Sequence, residues 1–367
     1  MPIKIALVGF HLTGGGGARV MANLSNYFDK QGIEVHNIIF HNELGYHYSG
    51  RLFNLGELKS ESNTIVNKVK RFYHFRNYIQ KHDFDFIIDF RFRKQILQEY
   101  LISRFIYQPK KTVYTIHSSK LDVYLPKSKF WTRVLYRNCL KLVTLTDEMK
   151  KDVANAYPGL NNIVTINNPI DLKLIAKNKI EEIDLDYSYI IAAGTYDTNV
   201  KQFDKLIMAY ANSVLKNKDI HLVILGTGKL LNMLKSIAED YNVKDHVHFL
   251  GFQSNPFKFF SKAKFFVLTS EYEGLPLVII EALSCGIPVV SFNCPTGPSE
   301  VIQDKDNGLL VEHQDIDKLI SAMNLMIENE ELYNHCKSNA RDSVAKYNIE
   351  EIGPHWLNVF KNSSEEF

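Results

Sequence analysis

The sequence predicts an α/β protein made of two doubly wound domains, each with a parallel sheet. Short apolar runs alternate with helical patterns in both halves of the chain, which is typical of strand–helix units with buried parallel strands. Glycine-containing turns directly follow several of these runs, at residues 14–17, at Gly194 and at residues 226–228. A length of 367 residues is enough for two or three domains of ordinary size.

Composition narrows the class of protein. With 45% hydrophobic, 12% aromatic and 23% charged residues, the sequence is typical of a soluble globular protein with a large core. No apolar run reaches the roughly 18–20 residues that span a bilayer, and residues 1–10 lack a signal-peptide cleavage pattern. The four cysteines (Cys139, Cys285, Cys294 and Cys336) are scattered, so we predict no disulfide, no zinc site and a reducing cytoplasm.

Charge is distributed unevenly along the chain. Residues 1–180 carry 27 basic and 14 acidic side chains, whereas the whole chain carries 43 and 41. One explanation is that two domains of opposite sign attract each other. The other is that the N-terminal half approaches an anionic partner, such as a membrane surface or a lipid-linked pyrophosphate.

The first domain is predicted for residues 1–171. Its first strand (residues 3–9) leads through the glycine loop to a helix at residues 18–30, a layout that brings backbone N–H groups close to a phosphate. The alternative is that the glycines only provide loop length, because they match neither GxGxxG nor a Walker A sequence. Further strands are predicted at residues 33–40, 84–90, 112–116, 142–146 and 163–166.

Two basic segments of the first domain contain many aromatic residues, at 63–82 and 127–141. They suit either a membrane interface or ordinary domain helices with a solvated basic side. The acidic pair Asp83 and Asp85 precedes a strand, so we do not assign it to a metal. His117 follows the strand at 112–116, at the sheet edge where parallel α/β proteins bind ligands, although a structural histidine is the alternative.

The second domain is predicted for residues 188–348, after a charged linker at residues 172–187. Its strands are predicted at residues 189–193, 220–225, 265–268 and 287–292, with closing helices at 315–327 and 331–346.

The most informative stretch is residues 271–300. After the strand at 265–268 the chain breaks at Gly274, and Pro276 sits where a helix tolerates proline. The free N–H groups at residues 274–277 form an anion site. Glu281 lies five residues past Pro276, roughly 7–8 Å along the helix axis. A ligand with phosphates at the helix start would therefore offer its ribose hydroxyls to Glu281. A solvated carboxylate or a buried pair with lysine is the alternative.

The pattern of Glu273, seven residues and Glu281, followed by ALSCGIPVV and later by GPSE, resembles the GT4-type retaining glycosyltransferases (glycosyl transferases group 1). The resemblance implies the GT-B fold, in which two Rossmann-like domains face each other across a cleft. It also implies that residues 349–367 form a helix that crosses back to the N-terminal domain.

The resemblance implies catalytic roles for Glu273, His117 and Lys201. It implies donor-binding roles for Gly16, Gly17, Gly194, Gly226, Phe252, Gly274, Leu275, Leu277 and Glu281. No metal or other cofactor is expected. Three positions depart from the family pattern: Ala18 replaces a usual Glu, Thr195 a usual Arg and Gln202 a usual Gly.

The function implied is sugar transfer from a nucleotide sugar, with a UDP-sugar expected, to a glycan or lipid-linked acceptor of the bacterial cell envelope. Hexosyl or N-acetylhexosaminyl transfer with retention is expected. The protein is expected in the cytoplasm, with peripheral contact at the inner face of the cytoplasmic membrane. No nucleic-acid partner is expected. Two alternatives stay open: a nucleotide-sugar 2-epimerase and a non-catalytic GT-B partner subunit. A dehydrogenase is disfavoured, because no GxGxxG with a following ribose carboxylate occurs.

Overall fold

A computed structural model describes residues 3–60 and 64–364. Contacts between residues divide the chain into two compact units. The first unit comprises Met1–Thr13, Gly17–Pro169 and Ile349–Phe367, and the second comprises Gly14–Gly16 and Ile170–Asn348.

Thirteen strands occur in the described residues. They are β1 (Lys4–Gly9), β2 (Glu34–Ile39), β3 (Arg51–Asn54), β4 (Phe86–Asp89), β5 (Thr112–Ile116), β6 (Lys141–Thr144), β7 (Ile163–Thr165), β8 (Ser188–Ala193), β9 (Ile220–Leu225), β10 (Val247–Gly251), β11 (Phe266–Leu268), β12 (Val289–Phe292) and β13 (Gly308–Val311).

The α-helices of the described residues run between and after these strands. They are α1 (Gly16–Lys30), α2 (Ile65–His82), α3 (Ile96–Phe105), α4 (Lys129–Tyr136), α5 (Asp147–Ala156), α6 (Leu172–Asn178), α7 (Phe203–Ala211), α8 (Leu231–Asp240), α9 (Phe257–Phe260), α10 (Leu277–Ser284), α11 (Pro298–Val301), α12 (Ile316–Glu328), α13 (Glu330–Ala340) and α14 (Ile349–Ser364).

The first unit is built on a seven-stranded sheet in the order β3-β2-β1-β4-β5-β6-β7. All of its neighbouring strands pair in parallel, with Leu7 opposite Ile88 where β1 meets β4. The strand order reverses between β1 and β4, so the carboxyl ends of these strands flank a topological switch point. Helices on the faces of the sheet leave β4 and β5 entirely buried.

The second unit contains a six-stranded parallel sheet in the order β10-β9-β8-β11-β12-β13. Its order reverses between β8 and β11, which places a second switch point after Ala193 and Leu268. The two sheets confirm the predicted α/β class with two Rossmann-like, doubly wound domains.

Side-chain caps define several helix starts. Thr146 accepts a hydrogen bond from the Met149 N–H at α5, and Asp315 accepts one from the Lys318 N–H at α12. Such caps satisfy backbone donors that a helix start otherwise leaves without partners.

The last helix, α14, packs on the first unit. Phe360 lies 5.6 Å from Phe28 and 4.5 Å from Phe86 between ring centroids. A Cβ atom on Gly353 would lie 2.2 Å from Cζ of Tyr27, so glycine lets the helix backbone rest directly on that ring.

The structure differs from the sequence-based expectation between residues 172 and 187. We predicted a linker there, but Leu172–Asn178 forms α6 within the second unit. Asp171 caps this helix by accepting from the Leu174 N–H, and Ile175 is buried, so one cap and one apolar contact suffice for two turns. None of the helices in the described ranges combines the length and apolar character that crossing a bilayer requires.

Candidate active site

Loops at the carboxyl edge of the second sheet are tied together through their backbones. Gly194, after β8, donates a hydrogen bond to the Leu225 carbonyl over 3.0 Å. Gly226, after β9, donates to the Gly251 carbonyl over 2.7 Å, directly before Phe252. Three predicted donor-binding residues therefore lie on one continuous edge.

An ion pair joins the loops that follow β8 and β11. Lys201 Nζ lies 2.7 Å from Glu273 Oε1, and Ser270 Oγ donates to the same oxygen over 2.6 Å. Thr269 Oγ1 also donates to the Lys201 carbonyl over 2.8 Å. Both side-chain bonds of Glu273 use Oε1, so the carboxylate is held in place without engaging Oε2.

Two glycines make this edge possible because the atoms above them approach too closely for a side chain. A Cβ on Gly194 would lie 2.9 Å from Cε of Lys201, so the lysine stem packs over the bare backbone. A Cβ on Gly226 would lie 2.0 Å from the Gly194 carbonyl oxygen, and Gly226 has a φ of +129°.

The turn from Glu273 to Pro276 is fixed by the loop after β12. Thr296 Oγ1 donates to the Glu273 carbonyl over 2.9 Å. A Cβ on Gly297 would lie 2.3 Å from the Gly274 carbonyl oxygen, so the two loops are in direct backbone contact. This contact sets the direction in which α10 leaves the sheet.

Helix α10 begins at Leu277, with Pro276 at its N-cap. The N–H groups of a first helical turn have no intrahelical acceptor and favour an anion there. Leu275, Leu277 and Glu281 are all buried, and Glu281 is only 7% exposed. At 1.5 Å per residue, Glu281 lies roughly 6 Å along the axis from Leu277.

The two cysteines next to these carboxylates stay protonated. Burial, reinforced by the Glu281 carboxylate, raises the pKa of Cys285 to about 12. Burial and Glu273 likewise raise the pKa of Cys294 to about 12. Since the thiolate is the reactive form, neither cysteine is a nucleophile at neutral pH. All four cysteines of the chain are free and buried.

In the first unit, His117 follows β5 at the carboxyl edge of the sheet. A Cβ on Gly17, in the first turn of α1, would lie 3.9 Å from Cγ of His117. Within residues 3–60 and 64–364, neither ring nitrogen of His117 has a hydrogen-bond partner, although both are buried. Burial, followed by the nearby Arg93 guanidinium, lowers the pKa of His117 to about 3.

Two buried arginines support this edge, and the sequence analysis did not identify them. Arg91 forms ion pairs with Asp89 over 2.7 Å and with Glu99 over 3.0 Å. Arg93 donates to the carbonyl oxygens of Tyr124 over 3.2 Å and Thr115 over 2.9 Å, so it ties the end of β5 to the following loop. Both arginines directly follow β4 at the switch point of the sheet, and this position in the sequence could have identified them as residues near a ligand site.

The remaining predicted positions are also placed by the structure. Gly16 is grouped with the second unit, where its Cβ position lies 3.9 Å from Cβ of Leu277. Thr195, where the family pattern has an arginine, is exposed. Gln202, where the pattern has glycine, adopts a positive φ of 47° and is buried. The glycine preference at that position therefore reflects a left-handed backbone conformation.

Comparison with protein families gives two matches that follow one another along the chain. The family model described as "Glycosyltransferase Family 4" matches residues 14–174. The model described as "Glycosyl transferases group 1" matches residues 175–343.

Individual proteins agree with these matches. An uncharacterized glycosyltransferase of Haemophilus influenzae is 33% identical over 221 residues, or 60% of this chain and 61% of the relative. N-acetylgalactosamine-N,N'-diacetylbacillosaminyl-diphospho-undecaprenol 4-alpha-N-acetylgalactosaminyltransferase of Campylobacter jejuni is 34% identical over 50% of both chains. This chain thus aligns with about half to three-fifths of the length of these curated relatives.

Among solved structures, a variant of Staphylococcus aureus TarM in complex with fondaparinux, alpha-GlcNAc-glycerol and UDP resembles this chain with a TM-score of 0.75. The likeness covers 98% of this chain and 99% of the other at 18% identity, and it shows a shared fold.

We predict that His117 stays neutral in the folded protein throughout the range from pH 8 to about pH 4. The folded chain protonates this ring only near pH 3, whereas the unfolded chain does so below about pH 6.5. The His117 contribution to stability is therefore complete above pH 6.5 and declines as the pH falls towards 3.

Nuclear magnetic resonance of the imidazole groups during a pH titration would test this, with His117→Gln used to assign the signal. The same variant should lose less stability than the wild type between pH 6.5 and 4. A His117 ring that titrates near pH 6.5 in the folded protein would contradict the prediction.

Proposed function

Because this chain belongs to the glycosyl transferases of group 1, with an N-terminal half of the family 4 type, we propose that it transfers a sugar from a nucleotide-sugar donor to an acceptor hydroxyl. The observation that carries the proposal is the Lys201–Glu273 ion pair, which lies one short turn before the start of α10. This places a cation, a carboxylate and a helix start on a single sheet edge.

We propose that the donor binds mainly to the second unit. Its diphosphate would lie at the first turn of α10, where backbone N–H groups and the helix dipole favour negative charge. The Glu281 carboxylate would accept hydrogen bonds from the two ribose hydroxyls. The nucleobase would lie near Phe252, which is partly exposed beside the turn that contains Gly226.

In the reaction, the bond between the anomeric carbon and the donor phosphate oxygen breaks, and its electron pair stays on the leaving diphosphate. The acceptor oxygen bonds to the anomeric carbon, and its proton passes to the diphosphate. Negative charge grows on the leaving group while positive charge grows on the sugar. Lys201 would stabilise the negative charge on the leaving diphosphate. Preorganised hydrogen-bond donors of this kind raise the reaction rate about 10²–10³-fold.

We propose that Glu273 holds Lys201 and touches the donor sugar. For His117, in the first unit, we propose a sugar contact made by a neutral ring. A neutral imidazole donates or accepts a hydrogen bond without adding positive charge beside the developing oxocarbenium-like sugar. We propose transfer with retention, because the resemblance to the GT4-type retaining glycosyltransferases implies it. We propose that the loop at Gly16 and Gly17 binds the donor through its backbone N–H groups.

We propose a UDP-sugar as donor, of the hexosyl or N-acetylhexosaminyl class, and a lipid-linked glycan of the bacterial cell envelope as acceptor. Two names support this: the TarM complex contains UDP, and the Campylobacter jejuni relative is named for a diphospho-undecaprenol acceptor.

We further propose that the first unit contacts an anionic membrane from the cytoplasmic side. Exposed apolar side chains lie on one side of α2, at Ile65, Val66, Val69 and Tyr73. Lys68 and Lys70 are exposed on the same helix. Apolar and basic groups together are what an interfacial helix needs to bind anionic lipid.

The overall proposal is tested by incubating the protein with UDP-, GDP-, ADP- and CMP-sugars and following binding by calorimetry and donor breakdown by NMR. One donor that binds and slowly releases free sugar is the expected result. Conversion of the donor to an epimer without acceptor would instead identify an epimerase. Absence of binding to every donor would favour a non-catalytic subunit.

We predict that Glu281→Gln weakens nucleotide binding about 10- to 100-fold, because the charged acceptor for the ribose hydroxyls is lost. Calorimetry with UDP measures the effect. Glu328→Ala removes an exposed carboxylate of the same unit and should leave the affinity unchanged. Wild-type affinity of a folded Glu281→Gln variant would contradict the ribose assignment.

Lys201→Ala should lower kcat about 10²–10³-fold, since the leaving diphosphate loses a positioned cation. Lys201→Arg should retain part of the activity, whereas Lys264→Ala, at the amino end of β11, should retain all of it. The measurement is the rate of donor consumption at saturating donor concentration. Full activity of Lys201→Ala would show that other groups stabilise the leaving group.

Vesicle flotation tests the membrane contact. The protein should float with vesicles of phosphatidylcholine and phosphatidylglycerol but not with phosphatidylcholine alone. The double variant Lys68→Glu and Lys70→Glu should bind at least about tenfold more weakly, at about 1 kcal/mol per basic residue. Ile180→Glu, at an exposed position of the second unit, is the control. Equal binding of all three proteins would contradict the proposal.

A further inference from the structure

A group of histidines lies at the amino ends of β9 and β10, at the edge of the second sheet opposite to Gly226. His221 is the second residue of β9 and His248 the second residue of β10. His246 ends the short 3₁₀ turn Lys244–His246, and Asp219 directly precedes β9. The proposed reaction uses none of these four residues.

The side chains of Asp219, His221 and His246 converge. One potential ligand atom from each lies within 4.8 Å of the other two. His221 Nε2 is 3.3 Å from Asp219 Oδ1, and the ring centroids of His221 and His246 are 4.8 Å apart. In the described part of the chain, no other group of three or more histidine, cysteine or acidic residues is this compact.

The ring nitrogens of His221 have different neighbours. Its Nδ1 lies 2.8 Å from Nε2 of His248, whereas its Nε2 faces Asp219. When Nδ1 carries the proton and donates it to His248, Nε2 presents its lone pair to the carboxylate oxygen. In this tautomer two acceptors face each other, an arrangement that a bound cation satisfies. Histidine ligands of metals are held in the same way, by a hydrogen bond from the other ring nitrogen.

Packing fixes these rings before any ligand arrives. The ring of Tyr187 stacks on His221 with centroids 4.3 Å apart and on His248 with centroids 4.7 Å apart. The His221 side chain is only 14% exposed, whereas that of Asp219 is 84% exposed. The group is therefore rigid on the protein side and open to solvent on the carboxylate side, which gives an ion a path of entry.

We propose that Asp219, His221 and His246 form a binding site for a divalent transition-metal ion, with zinc as the best match, and that His248 positions His221. Two imidazoles and one carboxylate are a common zinc ligand set, and a water molecule would complete the tetrahedron. Nickel and copper ions suit the same donors. Zinc bonds these atoms at roughly 2.0–2.2 Å, so binding would draw the exposed Asp219 carboxylate and the His246 ring towards His221.

The site would fasten the outermost strand of the second sheet. Among the strands that the structure describes, β10 pairs only with β9 and forms an edge of the sheet. The ligands come from β9, from the turn before β10 and from the residue before β9. Leu225 lies four positions after His221 in the same strand, or roughly 13 Å away at 3.3 Å per residue. The ion would therefore act on the stability of the unit, away from the donor site and independently of the proposed transfer reaction.

No metal site was predicted from the sequence, because it contains neither paired cysteines nor a short cluster of histidine and cysteine ligands. The ligands here are separated by two and by 25 positions, and only the pairing of β9 with β10 brings them together. A spacing of this kind carries no recognisable signal in a single sequence.

Zinc titration of the full chain, prepared without a polyhistidine tag and treated with a chelator, tests the proposal. Calorimetry should show one equivalent of saturable zinc binding, and cobalt should give the intense visible absorption of a tetrahedral site. His246→Gln and Asp219→Asn should each weaken zinc binding at least about tenfold, and His248→Gln about 10- to 100-fold. Zinc should also raise the melting temperature of the wild type but not of Asp219→Asn.

The matched control is His335→Ala, which removes a surface histidine that lies 3.1 Å from Asp306 in the same unit. This variant should bind zinc as the wild type does. The proposal is overturned if the wild type shows no stoichiometric zinc binding. It is equally overturned if His246→Gln and Asp219→Asn bind zinc normally, since a proton at Nε2 of His221 would then account for its contact with Asp219. Both variants replace residues outside the buried core, so the test does not depend on truncating His221.

Discussion

The arrangement of the second unit's carboxyl edge depends on the ion pair between Lys201 and Glu273. The lysine stem needs the bare backbone of Gly194 beneath it, and the Gly194 carbonyl in turn needs Gly226 without a side chain. The carboxylate is held from the other side by Ser270, and its backbone by Thr296. A charged pair that is mostly buried is costly unless its geometry is well fixed, so these surrounding contacts are what make the pair tenable.

The first unit meets a similar requirement with different residues. Asp89, Arg91 and Glu99 form a fully buried network after β4, where breaking one partner would leave an uncompensated charge. Within the described ranges Arg93 forms no ion pair with a carboxylate and instead donates to carbonyl oxygens at the end of the sheet. Its positive charge also helps to keep His117 neutral. The buried Arg93 guanidinium thus has two effects: it holds the end of β5 in place, and it helps to keep the His117 ring uncharged.

Sequence reasoning succeeded where one short segment determines the outcome. Strands β5 and β9 are short runs rich in β-branched and apolar residues, and both have the predicted bounds. It failed where the outcome depends on distant partners. The contact of Lys201 with Glu273 spans 72 positions and exists because β8 and β11 are neighbours. Likewise, Arg91 and Arg93 contribute to the basic excess of the N-terminal half, yet both are buried and add nothing to its exposed surface.

The packing of α14 on Tyr27, Phe28 and Phe86 has a consequence for biosynthesis. The first unit is interrupted in sequence by the second, so the ribosome makes about 180 residues of another unit before it makes this helix. Until then the aromatic surface of α1 and β4 lacks its cover and is a natural target for chaperones. Because α14 follows the whole second unit in sequence, a chain that stops before residue 349 leaves the rings of Tyr27, Phe28 and Phe86 without this cover.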